Sequence, residues 1–169
     1  MKQLLILILL ISLTSCWPKS VSFTDAGSMP VEWKTFSVKT LEIIAPNAPV
    51  SYAPTLSEKI KDGIQNNTRL LLNPKSGAGE VSVEGIVNSY TITPMAIQPG
   101  DNAAKNRLEI SVTFTIFVTK PTEDKMIFNS TRFVDYDVST DFSSNESQLL
   151  EEINKQVVQD VINKLFSNW

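Results

Sequence analysis

The chain has 169 residues, with 15 Lys and Arg against 18 Asp and Glu and a formal charge of −3. That balance holds no basic excess of the kind a nucleic-acid binder needs. With no histidine and one cysteine, a His/Cys zinc site, a Ser-His-Asp triad and a Cys-His pair are excluded in their usual forms.

The N-terminus carries the strongest signal. Lys2 supplies a positive start, Leu4 to Leu13 an apolar stretch, and Leu13-Thr14-Ser15-Cys16 a small-residue finish at the single cysteine. This is the anatomy of a bacterial lipoprotein signal. The stretch is too short to span a membrane, which takes roughly 20 apolar residues. The expectation is a cleaved signal over residues 1–15, a lipidated tether over 16–31 beginning at Cys16, and one domain over 32–169. Loss of Lys2 makes the mature chain one charge more negative. Aspartate after the lipidated cysteine is the usual signal for inner-membrane retention; here Trp17 follows, which points to the outer membrane.

Trp33 to Ile44 reads as a strand, ended by Ala45-Pro46-Asn47-Ala48-Pro49. Thr55 and Glu58 form a capping box, and Leu56, Ile60 and Ile64 recur at helical spacing, so a helix runs to about Arg69. Gly63 inside it weakens that helix by ~1 kcal/mol. Glu80 to Thr93 is a second strand. Leu108 to Val118 alternates most clearly, with Leu108, Ile110, Val112, Phe114, Ile116 and Val118 on one face. Met126 to Asp137 is the last strand, and both its faces are mixed. Ser143 and Glu146 then cap a long helix with a broad apolar stripe from Leu149 to Trp169. Two helices with one apolar face each must cover one sheet. The predicted fold is an α+β two-layer sandwich of order β-α-β-β-β-α, its two helices packed on one mostly antiparallel four-stranded sheet.

No catalytic set can be assembled, so the chain reads as a non-enzyme without metal or cofactor. Asp135 and Asp137 share one strand face and read as a solvated strand end. Gly77-Ala78-Gly79 lacks the spacing and the trailing Lys of a phosphate loop. The connection from Pro94 to Asn106 is long for a hairpin, with Lys105 and Arg107 at its far side. It reads equally as an arm that contacts an anionic ligand and as a loop with solvated charges.

The chain resembles the LptE family of lipopolysaccharide-assembly lipoproteins. The resemblance lies in Ser22 to Pro30, in Lys34-Thr35-Phe36-Ser37-Val38, in Ala48-Pro49 and in the Pro54-Thr55-Leu56-Ser57 helix start. It continues through Glu84-Gly85-Ile86, Tyr90, Thr93-Pro94, Asn106-Arg107-Leu108 and the aromatic finish from Phe166 to Trp169. It implies an outer-membrane lipoprotein facing the periplasm that plugs the LptD β-barrel and helps deliver lipopolysaccharide. A family that binds lipid A needs cations for its phosphates, and Lys105, Arg107 and Arg132 are the candidates. The alternative is a lipoprotein of similar build that activates a cell-wall synthase or scaffolds another envelope complex.

Overall fold

The computed structural model describes residues 29–95 and 104–166. Cys16, the signal, most of the tether, the middle of the Pro94 to Asn106 connection and Trp169 lie outside the described residues. In chain order the elements are β1 (Thr35–Val38), β2 (Glu42–Ile43), α1 (Tyr52–Asn67), β3 (Leu71–Leu72), β4 (Val81–Met95), β5 (Lys105–Val118), β6 (Asp124–Asp137) and α2 (Phe142–Phe166).

The two helices and the α+β class are as expected, but the sheet is not. Among the described residues it has six strands and is mixed. The order is β3-β1-β4-β5-β6, with β2 also on β4. The β4–β5 and β5–β6 pairs are antiparallel, whereas β1–β3, β1–β4 and β2–β4 are parallel. The reason is the connection through α1. A helix between two neighbouring strands returns the chain in the same direction, so it makes a parallel crossover. β3 is two residues long, too short to show a period.

The first strand is broken in two. Phe36 to Val38 pair with Val81 to Val83, and Glu42 and Ile43 pair with Ile86 and Val87. Between them Leu41 turns inward and is buried, its N–H donating to Ser57 Oγ of α1 at 2.9 Å. Gly85 makes the room, because a Cβ there would stand 3.0 Å from Leu41 Cγ and from the Phe114 ring.

Both helix starts differ from the capping boxes read in the sequence. α1 begins at Tyr52 after Ser51, with no side-chain cap. Thr55 is already inside it and its hydroxyl donates to Ser51 O at 2.8 Å. Pro54 is tolerated there because first-turn N–H groups have no helical acceptor. At α2 the cap is Asp141, whose Oδ2 accepts from Ser144 N at 3.1 Å and from the hydroxyls of Ser143 and Ser144. Glu146 is used elsewhere.

The core lies between one sheet face and the two helices. β5 contributes Leu108, Ile110, Val112, Phe114, Ile116 and Val118, all buried as its alternation predicts. β6 resolves its own ambiguity: Met126, Ser130, Val134 and Tyr136 are buried toward α2, whereas Ile127 and Phe133 lie on the open face and are exposed. Trp33 is fully buried and donates its indole N–H to Lys120 O at 2.6 Å. Met29 is buried as well, and Arg69 donates to the carbonyls of Met29 and Pro30.

Candidate functional site

β4 and β5 pair as far as Met95 and Lys105, and β6 continues the rungs. Three rungs set the geometry of this sheet end. Thr91, Glu109 and Phe133 are aligned across the strands, then Thr93, Arg107 and Asp135, then Met95, Lys105 and Asp137. Alternation puts all nine on the open face. Phe133 and Met95 are exposed there, and Ile92 and Val138 are exposed nearby. The sheet end is thus apolar and charged at once.

Arg107 is held in place. Its Nε donates to Asp135 Oδ1 at 2.7 Å and its Nη2 to Asp135 Oδ2 at 2.9 Å. The guanidinium lies 3.7 Å above the centre of the Phe133 ring. The hydrogen bonds from Arg107 keep the Asp135 carboxyl below the usual carboxylate range, and the Lys105 charge adds to the effect. Lys105 itself is exposed and makes no ion pair among the described residues.

Arg132 is elsewhere. It lies on the helix face of β6 and pairs with Asp160 of α2 through two hydrogen bonds, one from Nε to Oδ2 at 2.8 Å. Ser130 Oγ donates to the same Oδ2 at 2.5 Å. Burial pushes the Asp160 carboxyl upward, but the hydrogen bonds from Arg132 and Ser130 outweigh it and leave the group below its ordinary value. A cleft of about 390 Å³ lies here, with Ser130, Arg132, Asp160 and Asn163 in its wall. The structure therefore brings Lys105 and Arg107 together and sets Arg132 apart, on the opposite face of the sheet.

Sequence reasoning missed Phe133, and it read Asp135 as a solvated strand end without its link to Arg107. Their contact with Arg107 depends on the β5–β6 register, which no local pattern in either strand reveals.

A second cleft, of about 330 Å³, separates the start of α1 from α2. Tyr52 OH donates to Asn154 Oδ1 at 3.0 Å, and Tyr90 OH donates to Glu146 Oε1 at 2.7 Å. Burial pushes both phenols above their ordinary range. These polar groups satisfy one another beneath the helices. Among the described residues no cluster of His, Cys, Asp and Glu is placed to hold a metal ion, and no helix is long and apolar enough to cross a membrane.

Comparison with solved structures supports the fold. Lipoprotein B from Nitrosomonas europaea superposes with a TM-score of 0.53 at 11% identity, over 90% of this chain and 91% of its own. A hypothetical protein from Chlamydia trachomatis gives 0.54 at 12% identity, over 80% and 99%. A protein from Xanthomonas campestris gives 0.53 at 9% identity, over 87% and 91%. A search of curated proteins finds no match. The family described as LptE, lipopolysaccharide-assembly, matches residues 38–165, from the end of β1 to the last turn of α2. The chain belongs to this LptE family of lipopolysaccharide-assembly proteins.

Proposed function

We propose that this chain is a non-catalytic outer-membrane lipoprotein, anchored through Cys16, that plugs an LptD-like β-barrel from the periplasmic side. In that position it assists lipopolysaccharide binding and assembly at the outer leaflet. The observation that carries the reading is the family match over residues 38–165. The signal-like N-terminus ending at Cys16 and the layered fold support it. A barrel wide enough to pass a glycolipid needs its lumen filled, and a sandwich tethered at one end is suited to fill it.

Lipid A offers phosphates and acyl chains together. The end of the sheet offers matching chemistry, with Lys105 and Arg107 beside exposed Met95 and Phe133. Lys105 is the cation without a carboxylate partner of its own among the described residues. Arg107 reaches a phosphate by exchanging one of its Asp135 hydrogen bonds. Arg132 is bound to Asp160 on the other face and serves the β6–α2 contact in this reading.

The experiment is affinity capture of the native lipidated chain after mild detergent extraction. Recovery of a large outer-membrane β-barrel in equal amount is expected. Recovery of a cell-wall synthase with no barrel would overturn the reading in favour of the scaffold alternative.

A further inference from the structure

Asn154 is only 3% exposed, yet its side chain is half used. Its Oδ1 accepts the Tyr52 hydroxyl at 3.0 Å, and among the described residues its Nδ2 has no acceptor. Every described side-chain nitrogen or oxygen that is sealed from solvent does have a hydrogen-bond partner. Nδ2 therefore reaches a surface, and the surface beside Asn154 is the cleft of about 330 Å³ between α1 and α2. Buried polar groups are normally paired, so a free donor from a residue this deep marks the cleft.

Glu146 repeats the arrangement. It is half-buried and lines the same cleft. Its Oε1 accepts the Tyr90 hydroxyl at 2.7 Å, and among the described residues Oε2 has no partner. Glu151, the other carboxylate in the wall, is already paired with Lys59 at 2.8 Å. The start of α1 forms the facing wall and adds roughly half a positive charge, which leaves the cleft net negative at Glu146.

The two groups are spaced for a long occupant. Glu146, Leu150 and Asn154 stand four apart on α2 and share one side of it. The outer two are about 12 Å apart at Cα, and the tyrosine rings that hold them are 6.1 Å apart between centroids. Apolar surface lies between acceptor and donor: half-buried Leu150 on α2 and half-buried Pro49 opposite. The occupant needs a cation at one end, an apolar stem in the middle and an oxygen acceptor at the other end. A lysine or arginine residue has these parts in that order, in its charged head, its aliphatic stem and its own main-chain carbonyl. A polyamine offers Nδ2 no acceptor. An anion would meet Glu146, and a plain apolar side chain would desolvate Glu146 and Asn154 without pairing them.

We infer that this cleft is a docking site for a lysine or arginine side chain on an extended segment of a partner protein. The charged head sits on Glu146 Oε2, the stem crosses Leu150 and Pro49, and the main-chain carbonyl accepts from Asn154 Nδ2. Tyr52 and Tyr90 are positioning residues that hold the two groups from beneath. The cleft lies on the helix side of the sandwich, away from Lys105 and Arg107 on the open face, so the inference is independent of the lipopolysaccharide reading.

The test is an NMR titration of the native lipidated chain, labelled with nitrogen-15, in mild detergent. The probes are lysine and arginine, each blocked as its N-acetyl methylamide. Either should shift the backbone amides of Glu146, Leu150 and Asn154 and the Asn154 side-chain NH2, saturably. Blocked norleucine, an aliphatic chain without the charge, should bind at least tenfold more weakly. Spermidine, which has ammonium groups but no carbonyl, should bind at least threefold more weakly and leave the Asn154 NH2 unmoved. Glu146→Gln keeps an acceptor for Tyr90, so it should weaken the lysine probe at least tenfold with the urea midpoint unchanged. The Asn154 NH2 is read in the parent chain, so that result does not depend on a variant folding. No saturable shift at these three residues, or norleucine binding as tightly as lysine, would overturn the inference. Spermidine binding as tightly as the lysine probe would also overturn it, making a free polyamine the occupant.

Discussion

Arg107 and Asp135 face each other on β5 and β6 and close a two-point hydrogen bond at 2.7 and 2.9 Å, with the guanidinium stacked on Phe133. The pair orients a cation at the sheet end while occupying it. The pair is partly exposed and screened by water, so its loss should leave stability nearly unchanged. Its effect on ligands is larger and has a sign. Asp135→Asn should free Arg107 and tighten binding to lipid A micelles several-fold. Lys105→Ala with Arg107→Ala should weaken binding about tenfold. A fluorescence titration with labelled lipid A reads both, and unchanged affinity in the double variant would remove these residues from the ligand site.

Gly63 and Val158 set the approach of the helices. A Cβ at position 63 would overlap Val158 Cγ1. Alanine is the better helix former by ~1 kcal/mol, yet Val158 is held by its own helix to few rotamers. Overpacking should dominate, so Gly63→Ala should destabilise the fold by about 1–2 kcal/mol in urea melts. Adding Val158→Ala should recover much of the loss. A Gly63→Ala chain more stable than the parent would contradict the contact.

Glu80 ties the β1 edge to β4. Its carboxylate accepts from Thr35 Oγ1 at 2.6 Å and Thr35 N at 2.8 Å, with Lys120 Nζ at 3.3 Å. The Thr35 hydrogen bonds, helped by Lys120, lower its pKa from 4.5 to about 2. A depressed folded-state value means the stabilisation is complete above about pH 4.5 and is lost as pH falls toward 2. Glu80→Gln should cost on the order of 1 kcal/mol at neutral pH. The cost should shrink steadily between pH 4.5 and 2. A cost that stays constant down to pH 2 would refute the linkage.

Asp141 caps α2 in place of Ser143. Asp141→Ala should lower the midpoint of thermal or urea melting, because it removes the N-cap acceptor of α2. Ser143→Ala should cost less, because its hydroxyl only donates to Asp141. The reverse order would restore the sequence-based cap.

Much of the architecture was legible before the structure, and particular residues show where legibility stopped. The β5 face from Leu108 to Val118 was readable because one side packs on the helices and the other faces water. β6 was not, because Ser130 and Arg132 spend inward positions on Asp160 while Ile127 and Phe133 stand outside. The parallel arrangement of β1, β2 and β3 depends on which strands meet, and that is a tertiary outcome. Leu70 to Leu72 carry too few residues to announce β3. Both capping boxes matched in spacing, but Pro54 was accommodated inside α1 and Asp141 competed successfully with Ser143. At the candidate site Lys105 and Arg107 were read only as flanking the long connection, and their shared face and the link to Asp135 required the register.

The central claim is that this chain serves lipopolysaccharide assembly at the outer membrane. Its most direct test is depletion of the protein in its own host, followed by pulse-labelling of lipopolysaccharide and measurement of the fraction reaching the cell surface. The account predicts that surface delivery falls while labelled lipopolysaccharide accumulates inside the envelope, and that a copy carrying Cys16→Ser fails to restore it. Normal delivery after full depletion would contradict the account.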